Sequence, residues 1–193
     1  ALNLLDALCS VANDGICGMQ ELTQLSQSLP FVYDKKGDQH YDTASALIKS
    51  IRASKPNAAV YYLARMIDGG EDPMFIARRL VIAASEDVGN ANPHGLNVAV
   101  SGAQAVHMLG MPEARIILAQ VCTFLAASPK SNRSYLAINK ALAEVKTSGN
   151  LEIPMFLRNA PTSLMKDMGY GKGYIFAHDD PKGADSLCYL PDQ

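Results

Sequence analysis

Five prolines, Pro56, Pro73, Pro93, Pro112 and Pro129, stand 17, 20, 19 and 17 positions apart, and each is followed by a stretch compatible with a helix. Proline is tolerated in the first turn of a helix and disfavoured inside one. The spacing therefore predicts consecutive helices of about four turns joined by short loops, which places neighbours antiparallel. The segments share length but no residue pattern, so they are not homologous repeats. The expected fold is all-α: an antiparallel collar or bundle of consecutive helix hairpins.

The clearest hairpin runs from Asn57 to Gly89. Ala59, Tyr62, Leu63, Met66 and Ile67 recur with helical period, and Gly69-Gly70 can take the positive φ that closes a helix. Asp72 followed by Pro73 then supplies a capping oxygen and a first-turn residue that needs no amide partner. Ile76, Leu80, Ala83 and Ala84 continue the spacing, and Gly89 is placed to end the second helix. Before this hairpin, Asp42 or Thr43 is a candidate cap for a helix with Ala44, Leu47, Ile48 and Ile51 inward and Lys49 and Arg52 side by side outward. After it, Leu96–Leu109 and Met111–Ala127 are rich in small and aliphatic residues and are the expected innermost pair.

The two ends differ from the middle. Leu4, Leu5, Leu8, Val11 and Ala12 fall on one helical face with no capping residue ahead of them, the expectation for a chain that starts inside a helix of a longer protein. Met19–Ser28 fits a short helix, and Pro30–Asp42, without period, reads as an ordered connector. Beyond Gly149, prolines and glycines leave room for a short helix at Thr162–Met168. The remainder is expected to be an extended tail anchored by Phe156, Tyr170, Tyr174, Phe176 and Tyr189, with Tyr174–Ala177 suited to a small strand pair.

Charge and cysteines narrow the function. Lys and Arg total 17 against 19 acidic residues, so bulk charge draws the chain to neither nucleic acid nor anionic lipid, and any DNA contact must be a local patch. Cys9, Cys17, Cys122 and Cys188 form no CxxC pair and suit free, buried thiols in a reducing compartment. No apolar stretch is long enough to span a bilayer and no signal peptide is visible, which places the protein in the cytoplasm, away from membranes.

Chemistry-bearing motifs are scarce. Gly169-Tyr170-Gly171-Lys172-Gly173 lacks the GxxxxGK[ST] spacing of a phosphate loop and reads as a turn. Glu86-Asp87 fits a cap or an ion pair with Arg78 or Arg79 better than an acid–base pair. His40, His94, His107 and His178 show no metal-binding spacing, and no serine sits in a nucleophile elbow. Neither a catalytic residue, a cofactor site nor a metal site is expected within the chain. What remains is a set of basic residues, Lys49 and Arg52 on one helix with Arg158, Lys166 and Lys172 in the tail, candidates for phosphate or partner contact against a reading as solvated surface.

Three separated stretches, HYDTASALIKSIRAS (residues 40–54), YYLARMIDGGEDPMFIARRLVIAASEDVG (61–89) and LRNAPTSLMKDMGYGKGY (157–174), resemble in order the C-terminal part of the RarA (MgsA) family, bacterial relatives of the Werner helicase-interacting protein. ALNLLDAL at the start resembles the end of that family's AAA+ lid. The resemblance implies residues 1–30 as the remnant of the lid and 31–193 as a clamp-loader-like helical oligomerisation domain with its tail at 150–193. It implies a homotetramer acting at stalled replication forks in recombination and repair, with DNA and single-strand-binding protein as partners of the full-length chain. ATP and Mg²⁺ would belong to an upstream module carrying the Walker and arginine-finger residues. Ala53 and Lys55 depart from the Gly and Asp common in the family, removing a capping carboxylate before the hairpin.

Overall fold

The computed structural model describes residues 38–191, with side chains from His40 onward. Eight α-helices and no strand occur among them. In chain order they are α1 (Asp38–Arg52), α2 (Pro56–Asp68), α3 (Pro73–Ala83), α4 (His94–Leu109), α5 (Ala114–Ala127), α6 (Arg133–Ser148), α7 (Ser163–Asp167) and α8 (Pro181–Asp185). The chain divides into two units, with the boundary between Tyr135 and Leu136 in the first turn of α6. The helical stripe at Leu4–Ala12 and the helix expected at Met19–Ser28 lie outside the described residues, as does Pro30–Gly37.

The proline punctuation is realised. Pro56 and Pro73 occupy the first turns of α2 and α3, and Pro93, Pro112 and Pro129 stand just ahead of α4, α5 and α6. Asp72 caps α3 by accepting from the amides of Met74 and Phe75 at 3.0 and 3.1 Å, an arrangement worth about 1 kcal/mol. Gly70, at φ 74°, carries the chain out of α2, while the Gly69 and Glu71 amides cap the carbonyls of Arg65 and Met66. Lys55 makes no side-chain cap on α2, as the loss of a carboxylate there predicts.

The core of the first unit is built around α5. Leu118 and Leu125 are fully buried, and α5 packs against α1, α2, α3 and α4. Leu47 and Ile51 from α1, Leu63 and Met66 from α2, and Ile76 and Leu80 from α3 complete the cluster. Each such side chain contributes about 1.5–3 kcal/mol of burial. The expected central pair is corrected in one member: α5 is central, whereas α4 covers only one side and leaves Leu96, Met108 and Leu109 exposed. Its approach to α5 depends on Gly102, where an added Cβ would lie 2.4 Å from Val121 Cγ2.

Two further boundaries differ from expectation. Asp42 and Thr43 do not cap α1, which begins at Asp38. His40, in the added first turn, pairs with buried Glu71 and packs on Phe75, tying that turn to the α2–α3 loop. The helix after Pro73 does not run unbroken to Gly89: Ala84–Val88 form a π-helical turn and Gly89–Ala91 a 3₁₀ turn. Gly89 itself, at φ 50°, has no room for a side chain, because a Cβ would meet the Ser131 carbonyl at 2.5 Å.

In the second unit, Thr162 caps α7 through the Met165 amide, close to the expected Thr162–Met168. Helix α8 was not expected, although Asp180-Pro181 is the same cap and first-turn pair that starts α3. The Asp180 side chain accepts from the Gly183 amide at 2.9 Å. No strand pair forms at Tyr174–Ala177. Turns bracket that segment, and the Asp179 and Asp180 amides fold back onto the Phe176 carbonyl, consuming the pairing a strand would need.

Candidate functional site

The five basic residues singled out by the sequence fall into two groups. Lys49 and Arg52 lie one turn apart in the last part of α1. Lys49 is exposed; Arg52 is committed. Its Nε donates to Asp87 Oδ1 at 2.5 Å and its Nη2 to Glu86 Oε1 at 3.2 Å. Asp87 is only 4% exposed. The hydrogen bond to Asp87, ahead of the opposing cost of desolvation, raises the Arg52 pKa above its ordinary value. The expected pairing of Glu86-Asp87 with Arg78 or Arg79 is thus corrected: the cation comes from α1, and Arg78 pairs with Asp72 at 3.2 Å. Glu86 and Asp87 stand about two helical turns beyond Arg78 and Arg79, past the reach of neighbouring side chains on one helix, and in the π turn they meet α1 instead.

Around this ion pair is a polar cleft of about 400 Å³ lined by Arg52, Glu86, Asp87, Lys130, Ser131, Asn132 and Tyr135. Lys130 was not anticipated. Its Nζ caps the end of α5, donating to the carbonyls of Ala126 and Ser128 at 3.0 and 2.5 Å, and reaches Ser54 Oγ at 3.1 Å. Desolvation lowers its pKa. The Ser131 amide donates to the Asp87 carbonyl at 2.8 Å, pinning the loop to the π turn. Both carboxylates face one guanidinium, which ties α1 to the π turn, and Asp87 Oδ2 is buried without a hydrogen-bond partner. Among the described residues no three His, Cys, Asp or Glu side chains gather where a metal could bind.

Arg158, Lys166 and Lys172 share the second unit. Arg158 donates to Glu152 Oε2 at 2.8 Å and to the Ile153 carbonyl at 2.7 Å, and lies over the Tyr170 ring at 5.5 Å. The bond to Glu152, then that to Tyr170, raises its pKa. Lys166 and Lys172 are exposed. The glycine cluster is a turn: the amides of Gly169, Tyr170, Gly171, Lys172 and Tyr174 donate to the carbonyls of Lys166, Met165, Met155, Gly169 and Gly171. Those five amides are spent and cannot cradle a phosphate.

The feature that sequence reasoning passed over is the apolar stripe of α6. None of its residues is buried, yet Tyr135, Ile138, Leu142 and Val145 are 46–63% exposed. They recur at intervals of three, four and three, the spacing of a coiled-coil seam, with Arg133, Leu136, Lys140 and Glu144 on the opposite face. The signal was present in the sequence, but that none of the described helices covers the stripe is visible only in the structure. A second apolar surface is a groove of about 610 Å³ between α2 and α5, lined by Val60, Leu63, Ala64, Ile67 and Ile116 with Asp68 and Arg115 at its rim. No described helix is long and apolar enough to cross a membrane.

Comparison with known proteins agrees with this architecture. Residues 53–193 match the family described as MgsA AAA+ ATPase C terminal. The chain belongs to that family. Residues 1–52 match a second description, AAA C-terminal domain. Among relatives of this MgsA-family chain, Replication-associated recombination protein A of Coxiella burnetii is 48% identical over 161 residues, 83% of this chain and 37% of that protein. The protein of the same name in Escherichia coli K12 is 42% identical over 197 residues, 99% of this chain and 44% of its own length. ATPase WRNIP1 of Dictyostelium discoideum is 37% identical over 183 residues, 94% of this chain and 21% of its own. The chain spans less than half the length of each.

Proposed function

We propose that this MgsA-family chain is the non-catalytic, self-assembling C-terminal domain of a RarA-type AAA+ ATPase that works as a homotetramer at stalled replication forks, in recombination and DNA repair. The observation that carries the reading is α6, a 16-residue amphipathic helix with no buried residue. An isolated helix of that length is marginal in water, and its apolar stripe acquires a partner on assembly. ATP and Mg²⁺ belong to the upstream module; DNA and single-strand-binding protein are partners of the whole protein, which acts in the cytoplasm at the nucleoid. In this reading residues 1–30 are a remnant of the AAA+ lid, and 31–193, with the tail from 150, are the assembly domain. Sedimentation equilibrium should give four times the 20.7 kDa chain mass. The double variant Ile138→Asp, Leu142→Asp should sediment as monomer with the first unit still folded. A wild-type chain that stays monomeric throughout the micromolar range would end the proposal.

A second reading, contact with DNA phosphates through Lys49, Arg52, Arg158, Lys166 and Lys172, draws support from the exposure of Lys49, Lys166 and Lys172. Arg52 and Arg158 would have to share a guanidinium already held by carboxylates. Fluorescence anisotropy with single-stranded DNA should show salt-sensitive binding. Lys166→Ala with Lys172→Ala should lower the log–log salt slope by about 1.4. No binding at low salt would exclude it.

A further inference from the structure

We infer that α6 pairs antiparallel with α6 of a second copy across a two-fold axis, an inference that rests on the oligomerisation reading and specifies the partner of its central helix. The spacing of Tyr135, Ile138, Leu142 and Val145 reads the same in both directions. A copy turned end for end about the midpoint near Lys140 therefore lays stripe on stripe, Ile138 against Leu142 and Tyr135 against Val145.

Volume selects this sense over the parallel one. Antiparallel pairing sets the largest side chain of the stripe opposite the smallest, so the seam has even thickness. Parallel pairing would set two tyrosines together at one end and two valines at the other. The flanks are complementary as well. Ser134, Ala141 and Ser148 recur every seven residues along one edge, and the antiparallel arrangement brings that edge against its own copy, allowing close approach of the axes. The other edge brings Asn139 to Lys146, so no like charges meet. Arg133, Lys140 and Glu144 stay on the solvent face, and opposed helix dipoles favour the same sense.

The test uses position along the helix. Ser134 and Ser148 are 14 residues apart, about 21 Å along the axis. In a chain carrying Cys9→Ser, Cys17→Ser and Cys188→Ser, Ser134→Cys and Ser148→Cys are introduced separately, and a bis-maleimide of about 8–10 Å span, the separation of packed axes, is applied. Antiparallel pairing yields cross-linked dimer only when the two variants are mixed. Parallel pairing yields it from each variant alone, which overturns the inference. So does the absence of any cross-link in protein that light scattering shows to be oligomeric, the result expected if α6 docks instead in the α2–α5 groove of a neighbour. Protein that light scattering shows to be monomeric removes the oligomerisation reading itself, and this inference with it.

Discussion

Two arginine–carboxylate pairs of similar appearance differ sharply in their surroundings. Arg78 and Asp72 are both more than half exposed, whereas Arg52 holds a buried Asp87. Arg78→Ala should change stability by less than about 0.5 kcal/mol. Arg52→Ala leaves a carboxylate in the protein interior and should cost about 1.5–3 kcal/mol, lessened because half the Arg52 side chain faces water. Urea denaturation of the two variants makes the comparison, and equal losses would show that Asp87 is hydrated. Cys122 offers a second test. Burial pushes its thiol up to about 12 from 9.0, so the folded state keeps a proton that the unfolded state sheds. The resulting stability is complete below pH 9 and is lost between 9 and 12, by up to about 1.4 kcal/mol per pH unit. Cys122→Ala should flatten that alkaline decline. Cys122 is buried as expected, whereas Cys188, expected to be buried, is exposed, so at neutral pH a maleimide should label Cys188 and spare Cys122.

Helix starts and stops were readable because they depend on one or two residues acting locally. Asp72-Pro73 and Gly69-Gly70 carry their conformational reasons with them, and Asp180-Pro181 would have disclosed α8 by the same rule. What could not be read was non-local: Arg52 meets Asp87 across 35 positions, and the π turn that makes this so has no residue signature in ASEDV. The contact between α4 and α5 is also beyond local reading, since Gly102 meets Val121 on the next helix. Gly102→Ala should cost about 1–3 kcal/mol through overpacking, and adding Val121→Ala should recover part of that loss by clearing the atom in the way. If the double variant is no better than the single, the helices are held apart by something other than Val121. Gly89→Ala has no such rescue, because a backbone carbonyl of the Ser131 loop stands where its methyl would go.

At the scale of the molecule, the buried cluster lies in the first unit and an exposed apolar stripe runs along α6, so the proposed assembly would draw on residues that the core does not use. The melting temperature should therefore rise with protein concentration in the wild-type chain and become independent of it in the Ile138→Asp, Leu142→Asp variant. The basic residues were legible as charges but not as surfaces: Arg52 and Arg158 proved to be engaged with carboxylates, Lys49, Lys166 and Lys172 to be exposed. The all-α class and the family were legible because short loops and long local motifs suffice to specify them. The π turn has one more consequence, for the tolerance of the chain to changes in length. Delete Ser85 with α3 held fixed, and every residue behind it steps back by one place. Asp87 arrives where Glu86 stood, and Val88 slides beneath the Arg52 guanidinium. A single lost codon would thus exchange the buried carboxylate for an isopropyl group, while a codon lost from the exposed turns of the tail would leave that junction untouched.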